Sequence, residues 1–116
     1  MGAPTRSVRV EFLWWEGCPS WERALSELRE QMAAVGLDPR SIRLVPVETD
    51  GDVERLGFVG SPTIRVEGTD VQPPGDRPSG LTCRVYHLRD GRISALPDPG
   101  DVGDALREAI GGGADG

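Results

Sequence analysis

The sequence offers few side chains for covalent chemistry, and its two cysteines stand out among them. Cys18 lies in the turn Glu16-Gly17-Cys18-Pro19, between an apolar segment and a helical pattern. At the start of a helix, unpaired backbone N–H groups and the positive end of the helix dipole favour a thiolate. Because a thiolate is both a nucleophile and a metal ligand, Cys18 is predicted to be the reactive thiol; the alternative is a buried, inert cysteine.

The second cysteine, Cys83, falls in a segment with the composition of a strand. On a strand, Cys83, Val85 and His87 share one face, and Arg84, Tyr86 and Leu88 share the other. The Cys83 and His87 pair resembles a metal signature, but its span on a strand is about 13 Å, too long for one ion. Cys83 is therefore a candidate catalytic thiol or a small buried residue, and neither a metal site nor a cofactor is predicted.

Aromatic side chains surround Cys18 in the sequence, at Trp14, Trp15 and Trp21. Trp15 and Trp21 are candidates for a substrate-binding wall at the thiol. Ordinary core packing is the alternative for all three tryptophans, because aromatic side chains commonly dominate cores. Glu16 is interpreted as a solvated turn residue that could also donate a proton.

Apolar periodicity and turn residues predict alternating strands and helices. Pro19 suits the first position of a helix that Gly36 ends, and Pro46 indicates either an edge position or a strand end for the second strand. The predicted strands are 8–14, 41–47, 64–66, 83–88 and 92–96; the predicted helices begin at Pro19, at Val53 after the capping residues 49–52, and at Asp98 or Asp101, the last ending at the glycine run 111–113. The resulting βαβα-ββα order predicts an α/β fold with a central mixed sheet and helices on both faces.

Two segments resemble the thioredoxin-like family: the strand end and helix start at 14–19, and Gly60-Ser61-Pro62-Thr63 at the opening of a later strand. The resemblance covers Val8 to Ile110. It implies that Pro62 follows a cis peptide bond and packs beside Cys18. It also implies that Ser61 and Pro62 form a wall along which an extended thiol or disulfide substrate lies.

The chain departs from that family at the dithiol motif. The four residues are Cys18-Pro19-Ser20-Trp21, so a tryptophan stands where the resolving thiol would be. A resolving thiol must then be Cys83, a small thiol cofactor or a partner protein. The segment from Gly68 to Thr82 is also longer than a minimal thioredoxin needs.

Composition limits the other classes of function. The 116 residues fit one domain, with a core at about 8–110 and a flexible glycine-rich tail. The net charge is −6 and every basic residue is arginine, so nucleic acid and membrane are not expected partners, and lysine-based chemistry is excluded. No export signal is recognised at the N-terminus, which predicts a cytoplasmic protein.

Three functions remain after these exclusions. The first is thiol–disulfide exchange or reductase chemistry through Cys18. The second is the handling of a soft metal such as Hg(II) or Cu(I) by Cys18 and Cys83, similar in chemistry to an organomercurial lyase, with Asp70 or Glu16 as proton donor. The third is a redox-inactive binding module that keeps the fold without its chemistry.

Overall fold

The computed structural model describes residues 8–76 and 78–114. This part of the chain forms a mixed α/β fold with a mixed four-stranded sheet, a separate two-stranded sheet and three α-helices. In chain order the elements are β1 (Val10–Trp14), α1 (Trp21–Ala34), β2 (Arg43–Pro46), α2 (Asp50–Leu56), β3 (Thr63–Val66), β4 (Thr69–Asp70), β5 (Tyr86–His87), β6 (Ile93–Ser94) and α3 (Pro99–Ala114), with a short 3₁₀ helix at Pro39–Ser41.

The larger sheet has the strand order β2-β1-β3-β4. β1 runs parallel to β2 and antiparallel to β3, so that Phe12 lies between Leu44 and Ile64. The parallel β1-α1-β2 unit and the edge position of β2 confirm the sequence predictions. Pro46 is tolerated there because an edge strand leaves one row of N–H positions without a ladder partner.

Apolar residues pack on both faces of this sheet. Val10 and Phe12 belong to the larger cluster, which α1 and α3 complete, and Leu13 faces the smaller cluster with Val53 and Phe58. The alternation follows from the two-residue period of a strand. β1 is thus covered on both sides, as its continuous apolar sequence predicts.

The hairpin at the C-terminal side differs from its prediction. Strands at 83–88 and 92–96 were expected in the central sheet, but only Tyr86–His87 and Ile93–Ser94 pair, and they form a separate sheet. β4 takes the sheet edge instead, since the tight turn at Glu67 and Gly68, both with positive φ, returns the chain directly onto β3. The expectation of one mixed sheet is wrong for this reason.

Local capping explains where the helices begin and end. Thr49 and Asp52 form a capping box at α2, which begins at Asp50 and not at Val53 as predicted, because Thr49 is the N-cap and Asp52 lies in the first turn. Gly36 has a φ of 85° after α1, as the sequence predicts. α1 begins at Trp21 and not at Pro19. Asp98 accepts a hydrogen bond from the Gly100 N–H (2.8 Å) at the start of α3.

The glycine run 111–113 does not end α3, which continues to Ala114. Glycine weakens a helix by about 1 kcal/mol per residue without blocking its hydrogen bonds, so the predicted end was wrong. Residues 115–116 of the predicted tail lie outside the described residues. None of the helices in the described ranges is long and apolar enough to cross a membrane.

Candidate active site

Ser61 lies where three segments of the chain meet. Its Oγ accepts a hydrogen bond from the Trp15 N–H (3.0 Å), and its carbonyl oxygen accepts one from the Cys18 thiol (3.4 Å). The Ser61 N–H donates to the Thr82 carbonyl (2.8 Å), and the Arg84 N–H donates to the Ser61 carbonyl (2.8 Å). Ser61 therefore ties the segment of Cys18 to the segment of Cys83.

The two cysteines lie on either side of this serine. Cys83 forms an isolated parallel bridge with Ser61, and both cysteines are free thiols. Cys18 is only 1% exposed, whereas Cys83 is exposed. Partial burial raises the pKa of the Cys83 thiol, and the interaction with the neighbouring Cys18 sulfur raises it further. The fold thus brings together two thiols that are far apart in the sequence.

Cys18 does not occupy the helix start that the sequence predicts. Ser20 is the N-cap of α1, so Cys18 lies outside its first turn, and the reason given for its reactivity fails. The Cys18 N–H instead donates to the Trp15 carbonyl (3.0 Å) and closes a turn. A Cβ on Gly17 would lie 2.4 Å from the Trp15 ring, so any other residue in this turn would displace that ring.

The three tryptophans divide between packing and the site. Trp14 and Trp21 stack with ring centroids 4.3 Å apart, and both pack against the larger apolar cluster. Trp15 is partly buried and packs against the smaller cluster beside the Cys18 turn. Trp21 therefore serves the core, and a substrate-binding role for Trp15 stays a prediction.

The segment that carries Cys83 covers the predicted substrate wall. Ser61 and Pro62 are buried, and their peptide bond is cis, as the resemblance implies. The Tyr86 hydroxyl donates to the Pro62 carbonyl, which closes the wall from the other side. Gly60 permits the close approach of the Arg84 backbone to this segment, since its φ is 132° and a Cβ would lie 3.0 Å from the Arg84 Cα.

Arg84 is a site residue that the sequence analysis missed. Its side chain is buried, and its Nη1 donates to the Asp70 carboxylate (2.7 Å) and to the Thr63 hydroxyl (3.3 Å). Its Nη2 donates to the Gln72 carbonyl, and its guanidinium lies over the Tyr86 ring at 4.4 Å. The predicted strand alternation, with Arg84 and Tyr86 opposite Cys83, was the available signal. These contacts fasten the Cys83 segment to β3 and β4.

The other candidate residues are separate from the thiol pair. His87 is exposed on β5, and its backbone is bonded to the Gln72 side chain. Asp70 is ion-paired with Arg84, and Glu16 is exposed. No group of three or more His, Cys, Asp or Glu side chains within 8–76 and 78–114 could hold a metal, so a soft ion would have only the two cysteine sulfurs.

Comparisons with protein-family models, curated proteins and solved structures found no match to this chain.

Proposed function

We propose that this chain is a thioredoxin-like thiol–disulfide exchange protein whose reactive pair is Cys18 and Cys83. The observation that carries the proposal is the meeting of the two thiols around Ser61. Cys18 donates to the Ser61 carbonyl, and the Cys83 segment is bonded to the same residue on both sides of the cysteine. The missing second cysteine of the dithiol motif is thereby supplied from a distant segment.

The reaction is a two-electron exchange between this dithiol and a substrate disulfide. One cysteine thiolate attacks a substrate sulfur, forms a mixed disulfide and releases a substrate thiolate. The other cysteine then attacks the mixed disulfide, forms the Cys18–Cys83 disulfide and releases the second substrate thiolate. The two protons of the dithiol end on the released thiols, and a thiol reductant returns the pair to its starting state.

The thioredoxin-like part of the proposal is supported by the element order and by the position of the Cys18 turn. β1 leads into the cysteine turn and α1, a parallel β2 follows, and the 60–63 segment opens the antiparallel β3. Cys18 contacts that segment through Ser61. A binding module would need no such contact between thiol-bearing segments.

The test is equilibration of the protein in buffers with varied ratios of oxidised to reduced glutathione. We expect the native chain to lose two hydrogens as an intramolecular disulfide, seen by mass spectrometry after acid trapping. Cys18→Ser should form only a mixed disulfide with glutathione, and Cys83→Ser, whose remaining thiol is buried, should form little of either product. A native chain that accumulates glutathione adducts and never the internal disulfide would overturn the proposal and favour the binding module.

A further inference from the structure

One edge of the Cys83 segment is hydrogen-bonded to Ser61, and its opposite edge has no strand paired with it in the described residues. The Thr82 carbonyl and the Arg84 N–H face Ser61, so the alternation of an extended segment turns the Cys83 N–H and carbonyl the other way. Within the described ranges, the Cys83 N–H and the Val85 N–H have no main-chain hydrogen-bond partner, and the Cys83 carbonyl accepts a long hydrogen bond from the Thr82 hydroxyl (3.5 Å). An edge with unpaired backbone groups is a template for pairing with another extended chain.

The side chains along this edge alternate in burial. Arg84 and Tyr86 point into the protein, whereas Cys83, Val85 and His87 are exposed. Val85 is 40% exposed, and Ile93, which pairs with His87, is 67% exposed. The exposed face beside the thiol is therefore partly apolar, which suits apolar side chains of a bound strand.

We propose that the open edge at 83–85 binds an extended polypeptide with apolar side chains and a disulfide-bonded cysteine opposite Cys83, an inference that rests on the function proposed above. The geometry suits this substrate class. Residues of a hydrogen-bonded antiparallel pair have Cα atoms about 5.5 Å apart. That separation lies in the range of about 4.4–6.8 Å that a disulfide requires.

The arrangement also assigns the order in which the two cysteines attack. Cys83 is exposed on the binding edge and attacks the sulfur of the bound cysteine, and the former partner of that cysteine leaves as a thiolate. Cys18, 1% exposed behind it, then attacks the Cys83 sulfur and releases the polypeptide thiol. Cys18 cannot meet an extended substrate first, because the Cys83 segment covers its side of Ser61.

The experiment follows the release of thionitrobenzoate from a short peptide of alternating valine and threonine with a central cysteine in mixed disulfide with that dye. One matched peptide carries an N-methyl group on the cysteine, whose N–H faces the edge. A second carries it on the next residue, whose N–H faces away. Glutathione linked to the same dye is the small-molecule probe. Val85→Thr tests the apolar face, and Leu44→Thr, at an exposed residue on β2, is its matched control.

We expect methylation at the cysteine to slow release up to about tenfold, the effect of losing one hydrogen bond, and methylation at the next residue to leave the rate unchanged. Val85→Thr should slow dye release from the peptide but not from the glutathione probe. Leu44→Thr should slow release from neither. Equal rates for all probes, with release still abolished in Cys83→Ser, would refute edge pairing and leave the proposed function intact. Release at the native rate from both Cys18→Ser and Cys83→Ser would refute the proposed function itself.

Discussion

The ion pair between Arg84 and Asp70 should be the contact on which the position of Cys83 depends most. The Arg84 side chain is 1% exposed and that of Asp70 is 11% exposed, so solvent screens the pair weakly. Replacing Asp70 by alanine leaves the guanidinium buried without its counter-charge, with the Thr63 hydroxyl and the Gln72 carbonyl as its remaining oxygen partners among residues 8–76 and 78–114. Arg84→Met leaves the Asp70 carboxylate without its ion-pair partner but partly exposed to solvent.

The expected cost differs between these two changes. Removing one partner of a buried ion pair typically costs about 3–5 kcal/mol, which we expect for Asp70→Ala. Arg84→Met should cost about 1–3 kcal/mol, because the remaining carboxylate is partly exposed. The double variant should cost less than the sum, since the second change removes the unpaired charge that the first creates. A domain with a total stability of about 5–15 kcal/mol loses a large share in the first case.

The assay is urea unfolding together with the glutathione equilibration of the cysteine pair. With a slope of about 1–3 kcal/mol per molar urea, Asp70→Ala should lower the midpoint by roughly 1–5 M. In native buffer the same variant should form less Cys18–Cys83 disulfide. The control is Glu27→Ala, which breaks an ion pair to Arg23, itself 79% exposed, and should cost below about 0.5 kcal/mol. An Asp70→Ala chain as stable as Glu27→Ala would refute the reasoning.

Three further predictions follow from the backbone and from the thiols. Gly60→Ala should lower the free energy of unfolding by at least about 1–3 kcal/mol in urea, because its φ of 132° excludes a side chain and the new Cβ would press on Arg84; a midpoint equal to that of the native chain would contradict this. Gly51→Ala should raise the free energy of unfolding by about 0.5–1 kcal/mol, since this position of α2 is helical and a Cβ there makes only an ordinary contact; a lowered midpoint would count against it. In Cys18→Ser the pKa of Cys83 should fall but stay above its ordinary value, because the effect of burial remains when the neighbouring sulfur is removed. The pH dependence of alkylation by iodoacetamide would show the fall, and an unchanged pKa would mean that the two thiols do not interact.

Much of the fold could be predicted because it depends on neighbours in the sequence. The apolar run of β1 specifies a strand covered on both faces, and Pro46 places β2 at an edge. Thr49 and Asp52 start α2, and Gly36 ends α1. Each of these features is set by hydrogen bonds and periodicity within a few residues, so the residue types suffice.

The sequence by itself determined the first three strands, the three helices, the parallel β1-α1-β2 unit and the candidate residues Cys18 and Cys83. The tertiary structure alone decided that a separate hairpin holds β5 and β6, that the Cys83 segment covers Ser61, and that buried Arg84 fastens it there. These features depend on packing between segments that are far apart in the sequence. No local pattern encodes such a meeting, because its free energy comes from burial and hydrogen bonds between residues distant in the chain.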